Sequence, residues 1–495
     1  MLNPAVPGFH PDPSVVRVGD DYWLACSTFE YFPGIPVFHS TDAEHWELAG
    51  HVATRPGQLA LERVPTGGGV WAPTIRHHDG RFWLVVADAM GRGPLVFSAD
   101  DARGPWSDGT PMVGVDGIDH DLAWDDDGTC YVTYSGLLLT PEEFGVHRGI
   151  LQARVDLATG RALEERRSLW SGTGLKFPES PHLYHVDGRW YLMIAEGGTE
   201  RGHSVSIARG GSPAGPFEGH PHNPIHSHRS TSHAVQNSGH ADLVRTDDGW
   251  VMVMLGTRPG GASQMFAPMG RETFATRVTW ADGWPVVEPF ELTPGRSGVV
   301  VETSFDAPLG PEWLAVRDAE RAWAAHEGGA LVLTAADDGP VAMDAPVPRF
   351  LGRRQQHTRA RFTTVVDAAG GSGGLSVRYD ERHHYDVEVG PEAVVARVRL
   401  DQLEHTWSVP APGTFVEIWL EAVPPTLSGF GLDMLTCDVI RMGFGSGADE
   451  VVVAEMDGRY LTSEVTSSFT GRVAGVYAAS GRPAFRSFRY EGSDA

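Results

Sequence analysis

One twelve-residue pattern recurs five times along the first 250 residues: DPSVVRVGDDYW (12–23), APTIRHHDGRFW (72–83), HDLAWDDDGTCY (120–131), SPHLYHVDGRWY (180–191) and HADLVRTDDGWV (240–251). Each copy reads as a strand, a tight turn containing Asp and a second strand, because Asp-Gly is the strongest short hairpin signal and the flanking aromatics suit a pleated, half-buried surface. The copies begin 60, 48, 60 and 60 residues apart, room for a four-stranded blade per repeat. Five such blades predict a five-bladed β-propeller over residues 1–295. The 60 glycines and 35 prolines, with few long windows of helical period, fit an all-β chain of short strands and turns.

In a propeller the first strand of each blade lines the central channel, so its opening residue stands at the channel mouth. Read within one position, those residues are Asp12, Trp71 with Ala72, Asp119, Glu179 and His240. Singly, each acid has a plain structural reading: a turn residue between Pro11 and Pro13, a strand-end acceptor, a solvated loop charge. At equivalent positions of a repeat they instead converge on one funnel. Two carboxylic groups across a cleft suffice to cleave a glycosidic bond, one protonating the departing oxygen while the other activates water or attacks the sugar. A third acid close to the proton donor raises the donor's pKa and keeps it protonated near neutral pH. Spacing alone assigns no role among the three.

After WADGWPVVEPFELTPGRSG (280–298) the pattern changes, and TPGRSG reads as a linker. Beyond it Leu375, Val377 and Tyr379 alternate with Ser376 and Arg378; Tyr385, Val387 and Val389 with Asp386 and Glu388; Ala396, Val398 and Leu400 with Arg397 and Arg399. Period-two alternation with one polar face predicts an antiparallel β-sandwich over residues 300–495.

Lys and Arg number 39 against 64 Asp and Glu, a formal net charge of −25, which repels phosphate backbones and anionic membrane surfaces. Nucleic acid and membranes are therefore not expected partners. Cys26, Cys130 and Cys437 are far apart and in no metal-ligand spacing, so neither a disulfide framework nor a zinc site is expected. The N-terminus MLNPAVPGFHPDPS has no basic, apolar leader pattern, and a soluble cytoplasmic protein is expected. No phosphate-cradling, dinucleotide, metalloprotease or nucleophile-elbow motif occurs.

The stretches NPAVPGFHPDPSVV, STFEYFPGIPVFHSTDAEHWELAGHV, GGVWAPTIRHHDGRFWLV, GIDHDLAWDDDG, ESPHLYHVDGRWYLMIAEGG and NSGHADLV with LGTRP resemble the β-xylosidases and α-L-arabinofuranosidases of glycoside hydrolase family 43. The second half resembles the concanavalin-like sandwich appended to the xylosidase-type members. The resemblance implies inverting hydrolysis, with Asp12 of HPDPS as general base, Glu179 of ESPH as general acid and Asp119 of GIDHD as the acid that orients and tunes Glu179. His120 and Asp121 follow Asp119 where that family carries a proline and a small residue. Arg258 of LGTRP is placed by the resemblance in the pentose pocket, where a planar fork of donors suits sugar hydroxyls or a carboxylate. Phe29 and Trp71 offer faces for sugar stacking or core filling, and His240 a contact to an acid of the site, a water-bridged channel ion or a plain structural hydrogen bond. Phe485 and Phe488 are expected in the sandwich core. The run with His220, His222, His226, His228 and His233 lacks metal-ligand register and is expected as a polar loop near the funnel rim. The expected function is removal of terminal xylose from short β-1,4-xylo-oligosaccharides, with α-L-arabinofuranosidase, or both activities, as the alternative and a non-catalytic sugar-binding propeller as the alternative of another class. No cofactor is required; a structural calcium ion and a homo-oligomer are left open.

Overall fold

In a computed structural model of the chain, residues 1–293, 298–336, 342–426, 431–466 and 468–494 are described; 294–297, within the expected linker, lie outside the described residues. The chain divides into two compact units: Met1–Val6, His10–Thr257 and Glu272–Leu292 form the first, and Pro7–Phe9, Arg258–Arg271 and Thr293–Ala495 the second.

The first unit is a five-bladed β-propeller. Its five antiparallel sheets have four strands each, save the third with five. The inner strands are Ser14–Val18, Gly69–His78, Ile118–Trp124, Glu179–Val186 and Gln236–Thr246. Each inner strand packs against the next, and the fifth packs against the first, which closes the ring. The turn chemistry explains why the repeats fold this way. In blades two and four a two-residue loop joins strands paired at His78↔Arg81 and Val186↔Arg189. Both loop residues have positive φ, 51° and 73° at Asp79 and Gly80, 49° and 74° at Asp187 and Gly188. That is the backbone of a type I′ hairpin, which Asp-Gly adopts with little strain.

Closure uses the N-terminus. The Asn3 side chain donates to Ala275 O at 2.9 Å and accepts from Ala275 N at 2.8 Å, and Val6 bridges Thr273. The segment leading into blade one is thereby fastened to the third strand of blade five, Arg271–Ala281.

The second unit is a β-sandwich of two antiparallel sheets with eight and six strands. Leu375, Val377, Tyr385, Val387, Ala396 and Val398 face a core shared with Trp313, Phe362, Phe485 and Phe488, so both phenylalanines fill the core as expected. The other face differs from expectation. Ser376, Arg378, Asp386 and Arg397 are buried rather than solvated. Their charges are matched locally: Arg397 pairs with Asp344 at 2.7 Å and Glu404 at 2.9 Å, and His384 lies between Asp344 at 2.9 Å and Asp386 at 2.8 Å. Alternation fixes which side chains share a face, not whether that face meets water.

Asn3→Ala leaves the buried Ala275 N–H and C=O without these partners. The expected outcome in urea unfolding is a loss of about 1–3 kcal/mol, with no change in the far-UV spectrum of the folded state.

Candidate active site

Every inner strand carries one extra residue at the same place. Register shifts occur between Trp71 and Thr74, Ile118 and Asp121, Glu179 and His182, and Gly239 and Ala241. Blade one matches them, since Ser27 N bonds Pro11 O while Ser14 pairs with Ala25. The bulge residue is left-handed in all five blades: Asp12 (φ 56°), Ala72 (42°), Asp119 (55°), Ser180 (51°) and His240 (48°). A bulge re-aims the side chains around it, and non-glycine residues held at positive φ concentrate where function over-determines the backbone. Asp12, Asp119 and His240 therefore hold equivalent positions, whereas Glu179 and Trp71 stand one residue earlier, beside Ser180 and Ala72. The one-position tolerance in reading the repeats thus covers two structural positions, the bulge residue itself and the residue before it.

Hydrogen bonds join these bulges from blade to blade. Asp12 is buried, and its Oδ2 accepts from Ser27 Oγ at 2.6 Å. Ser27 Oγ in turn accepts from Ala72 N at 2.7 Å, which links blade one to blade two. On the other side of Asp12, His240 Nδ1 of blade five lies 3.6 Å from Oδ1. The buried Asp119 carboxylate accepts from Ser180 N at 2.9 Å, the peptide that follows Glu179. Asp119 thus grips the backbone that presents Glu179, and Glu179 itself is only partly buried. His203 Nδ1 contacts Asn237 O at 2.9 Å and so joins blade four to blade five.

Two residues beyond the bulge, the period-two alternation returns side chains to the channel axis. Ser14, Thr74, Asp121, His182 and Asp242 occupy this level, all buried. Arg76 reaches into it from blade two and pairs with Asp121 at 2.7 Å and Asp242 at 2.8 Å. Tyr184 Oη donates to Asp242 at 2.7 Å. Burial alone would raise the Asp242 pKa, but the Arg76 guanidinium holds it well below the usual carboxylate range. Burial pushes the Tyr184 phenol up, and the Asp242 charge pushes it further. Asp121 also accepts from Leu183 N at 2.9 Å, which commits it to the axis and separates it from the neighbouring Asp119 at the mouth. The sequence reading missed this axial group; its signal was acids two residues past the repeat's opening position in otherwise apolar strands.

The remaining candidates divide. Trp71 is partly buried and donates from Nε1 to Gly67 O at 2.6 Å. Phe29, at 2% exposure, pairs its backbone with Val70 and is enclosed. Arg258 belongs to the second unit, where it pairs with Asp494 at 2.9 Å and donates to Gln356 O at 3.0 Å.

Residues 1–285 match the family described as Glycosyl hydrolases family 43, and residues 302–491 match the Beta xylosidase C-terminal Concanavalin A-like domain. The chain belongs to glycoside hydrolase family 43. It is 35% identical to a non-reducing end alpha-L-arabinofuranosidase of Bacteroides ovatus over 96% of this chain and 91% of that protein. It is 33% identical to a putative beta-xylosidase of Escherichia coli over 86% of this chain and 88% of that protein. Among solved structures it resembles GH43B of the Bacteroides ovatus xyloglucan locus, with TM-score 0.86, 31% identity and 99% of each chain covered. The xylan beta-1,4-xylosidase of Bacillus halodurans superposes with TM-score 0.85 at 26% identity, over 99% of this chain and 100% of that one.

The histidine run of this family-43 glycoside hydrolase lies in a loop segment, with three of its rings packed together. His226, His228 and His233 gather around Phe290, and the His228 and His233 rings stack at 3.7 Å. Their nitrogens are tied down at Ser238 Oγ (3.0 Å), Val235 O (2.9 Å) and Phe290 O (2.8 Å). His220 sits apart, against Trp284. Among the described residues no group of three or more His, Cys, Asp or Glu is placed to hold a metal ion. Burial, then the neighbouring imidazoles, lowers His226 to about 3 and His228 to about 4. The folded state thus refuses protons that the unfolded chain binds near pH 6.5. The histidines' contribution is complete above that value and is lost as pH falls towards 4. Urea midpoints are expected to fall over this interval in the wild type and to fall less in the His226→Gln, His228→Gln double variant.

Proposed function

We propose that the chain is an inverting, exo-acting hydrolase that releases terminal xylose from the non-reducing end of short β-1,4-xylo-oligosaccharides. Asp12 is the general base, Glu179 the general acid and Asp119 the group that orients and tunes Glu179. The observation that carries this reading is the pairing at the mouth: Asp12 and Asp119 at equivalent bulges of blades one and three, with Asp119 bound to the peptide next to Glu179. In this scheme Asp12 removes a proton from a water poised behind the anomeric carbon. The water oxygen bonds to that carbon as its bond to the glycosidic oxygen breaks, and the Glu179 proton passes to the leaving oxygen. A separation of roughly 6.5–9.5 Å between base and acid leaves room for the water. The Asp119 charge opposes ionisation of Glu179 and keeps its proton available.

Family-43 enzymes generally need no cofactor, and none enters this scheme. The axial residues do not suit the calcium ion left open above, because the Arg76 cation already stands between Asp121 and Asp242. A cytoplasmic setting remains part of the proposal, supported by three cysteines that form no disulfide among the described residues, two of them buried. The second reading, α-L-arabinofuranosidase, is favoured by the similarity to the Bacteroides ovatus enzyme of that name along almost the whole chain.

Rates on nitrophenyl β-xyloside, nitrophenyl α-L-arabinofuranoside and xylobiose separate these readings. Asp12→Ala and Glu179→Ala are each expected to lower kcat on xylobiose by at least about 10²-fold. Glu179→Ala should lose less on the nitrophenyl substrate, whose leaving group departs without a proton. Near-normal xylobiose hydrolysis by either variant contradicts the assigned role, and faster turnover of the arabinofuranoside by wild type favours the second reading.

A further inference from the structure

One guanidinium touches all five blades. Arg76, on the inner strand of blade two, donates from Nη1 to its own Ile75 O at 3.0 Å and to Ser14 Oγ of blade one at 3.1 Å. The same nitrogen donates to Asp242 Oδ2 of blade five at 2.8 Å. Nη2 lies 2.7 Å from Asp121 Oδ1 of blade three and 2.9 Å from His182 Nδ1 of blade four. Because Arg has donors only, His182 Nδ1 accepts, which leaves the proton of this imidazole on Nε2. The contacts are reinforced by their partners: Ser14 Oγ donates to Asp242 at 2.9 Å and accepts from Ile75 N at 3.1 Å, and Val15 N donates to Asp242 at 3.0 Å.

The level of these contacts gives them a functional meaning. Ser14, Asp121 and His182 each stand two residues beyond the bulges at Asp12, Asp119 and Ser180. Arg76 therefore fixes blades one, three and four relative to one another one pleat below the residues that carry the proposed base, tuning acid and acid. No other side chain of this level is bonded to every blade among the described residues.

We propose that Arg76 is a positioning residue for hydrolysis, its planar fork setting the spacing between Asp12 and the Asp119–Glu179 pair. This rests on the functional reading above. Lys at this position keeps the charge but not the fork, and Asn at Asp242 keeps the shape of one arm while removing its charge. A displacement on the order of 1 Å at the reacting groups costs about 10²-fold, so a partial loosening is expected to cost at least about 10-fold.

The test compares Arg76→Lys and Asp242→Asn with wild type, using melting curves and circular dichroism to establish the folded fraction and Glu179→Ala as a parallel control. For folded variants the expected result is a kcat on xylobiose lowered about 10-fold or more, with KM within about 3-fold of wild type. The loss should be larger on xylobiose than on nitrophenyl xyloside, because a misplaced acid matters most where the leaving group needs a proton. A merely structural role scales both substrates equally with the folded fraction. That outcome, wild-type kcat in both folded variants, or failure of both variants to fold overturns the proposal. If Glu179→Ala keeps its xylobiose activity, the functional reading itself fails, and the control reports this separately.

Discussion

The geometry of the propeller axis depends on a buried cation shared among strands that are distant in sequence. Taking Arg76, Asp121 and Asp242 out of water is costly, and such clusters persist only where hydrogen bonds satisfy the remaining donors and acceptors. At Asp242 the satisfaction is extensive. Asp242 accepts from Arg76, Ser14, Tyr184 and two backbone amides, those of Val15 and Leu243. Burial alone would lower the Arg76 pKa, yet the two carboxylates raise it, so the cation is kept charged by the ring it holds. A closed ring of blades needs such a fixed centre if groups from three different blades are to act on one sugar.

Above this centre, the repeated bulge sets the residues of the mouth apart from those of the axis along a single strand. At the bulge, Asp119 accepts a hydrogen bond that crosses to blade four, while Asp12 accepts from Ser27 of its own blade, whose hydroxyl meets the amide of blade two. One pleat further on, the same strands present the groups that plug the axis. Ser27 links the mouth of one blade to the next, since one hydroxyl both donates to the Asp12 carboxylate and accepts from the amide of the next blade's bulge. The sandwich solves a related problem differently, burying its charged face behind Arg397, Asp344 and His384.

Much of this architecture was readable in the residues because turn chemistry is local. Asp79-Gly80 and Asp187-Gly188 announce their hairpins without reference to the rest of the chain, and the remaining three copies carry Asp-containing turns of other lengths or types between the same paired strands. The mouth was readable only to within one position, because a left-handed bulge residue carries no compositional mark to pin the register of each copy. Glu179 looked equivalent to Asp12 and Asp119, whereas it stands one step before the bulge residue of its blade. The axial group was hidden for another reason: Arg76, in TIRHHDG, resembles any polar strand-end residue until the ring places Asp121 and Asp242 beside it. The packing of the histidine run was not readable because it depends on Phe290, more than fifty residues downstream. Likewise, alternation around Arg378 and Asp386 marked two faces of a strand but not that both are covered.

In the proposed reaction, acids from separate blades act as an inverting pair on one glycosidic bond. Proton NMR of the first xylose released from a β-xyloside tests it most directly, before mutarotation mixes the anomers. Inversion gives the α-anomer as the initial product. Initial appearance of the β-anomer would mean that the second carboxylate attacks the sugar itself and would contradict it.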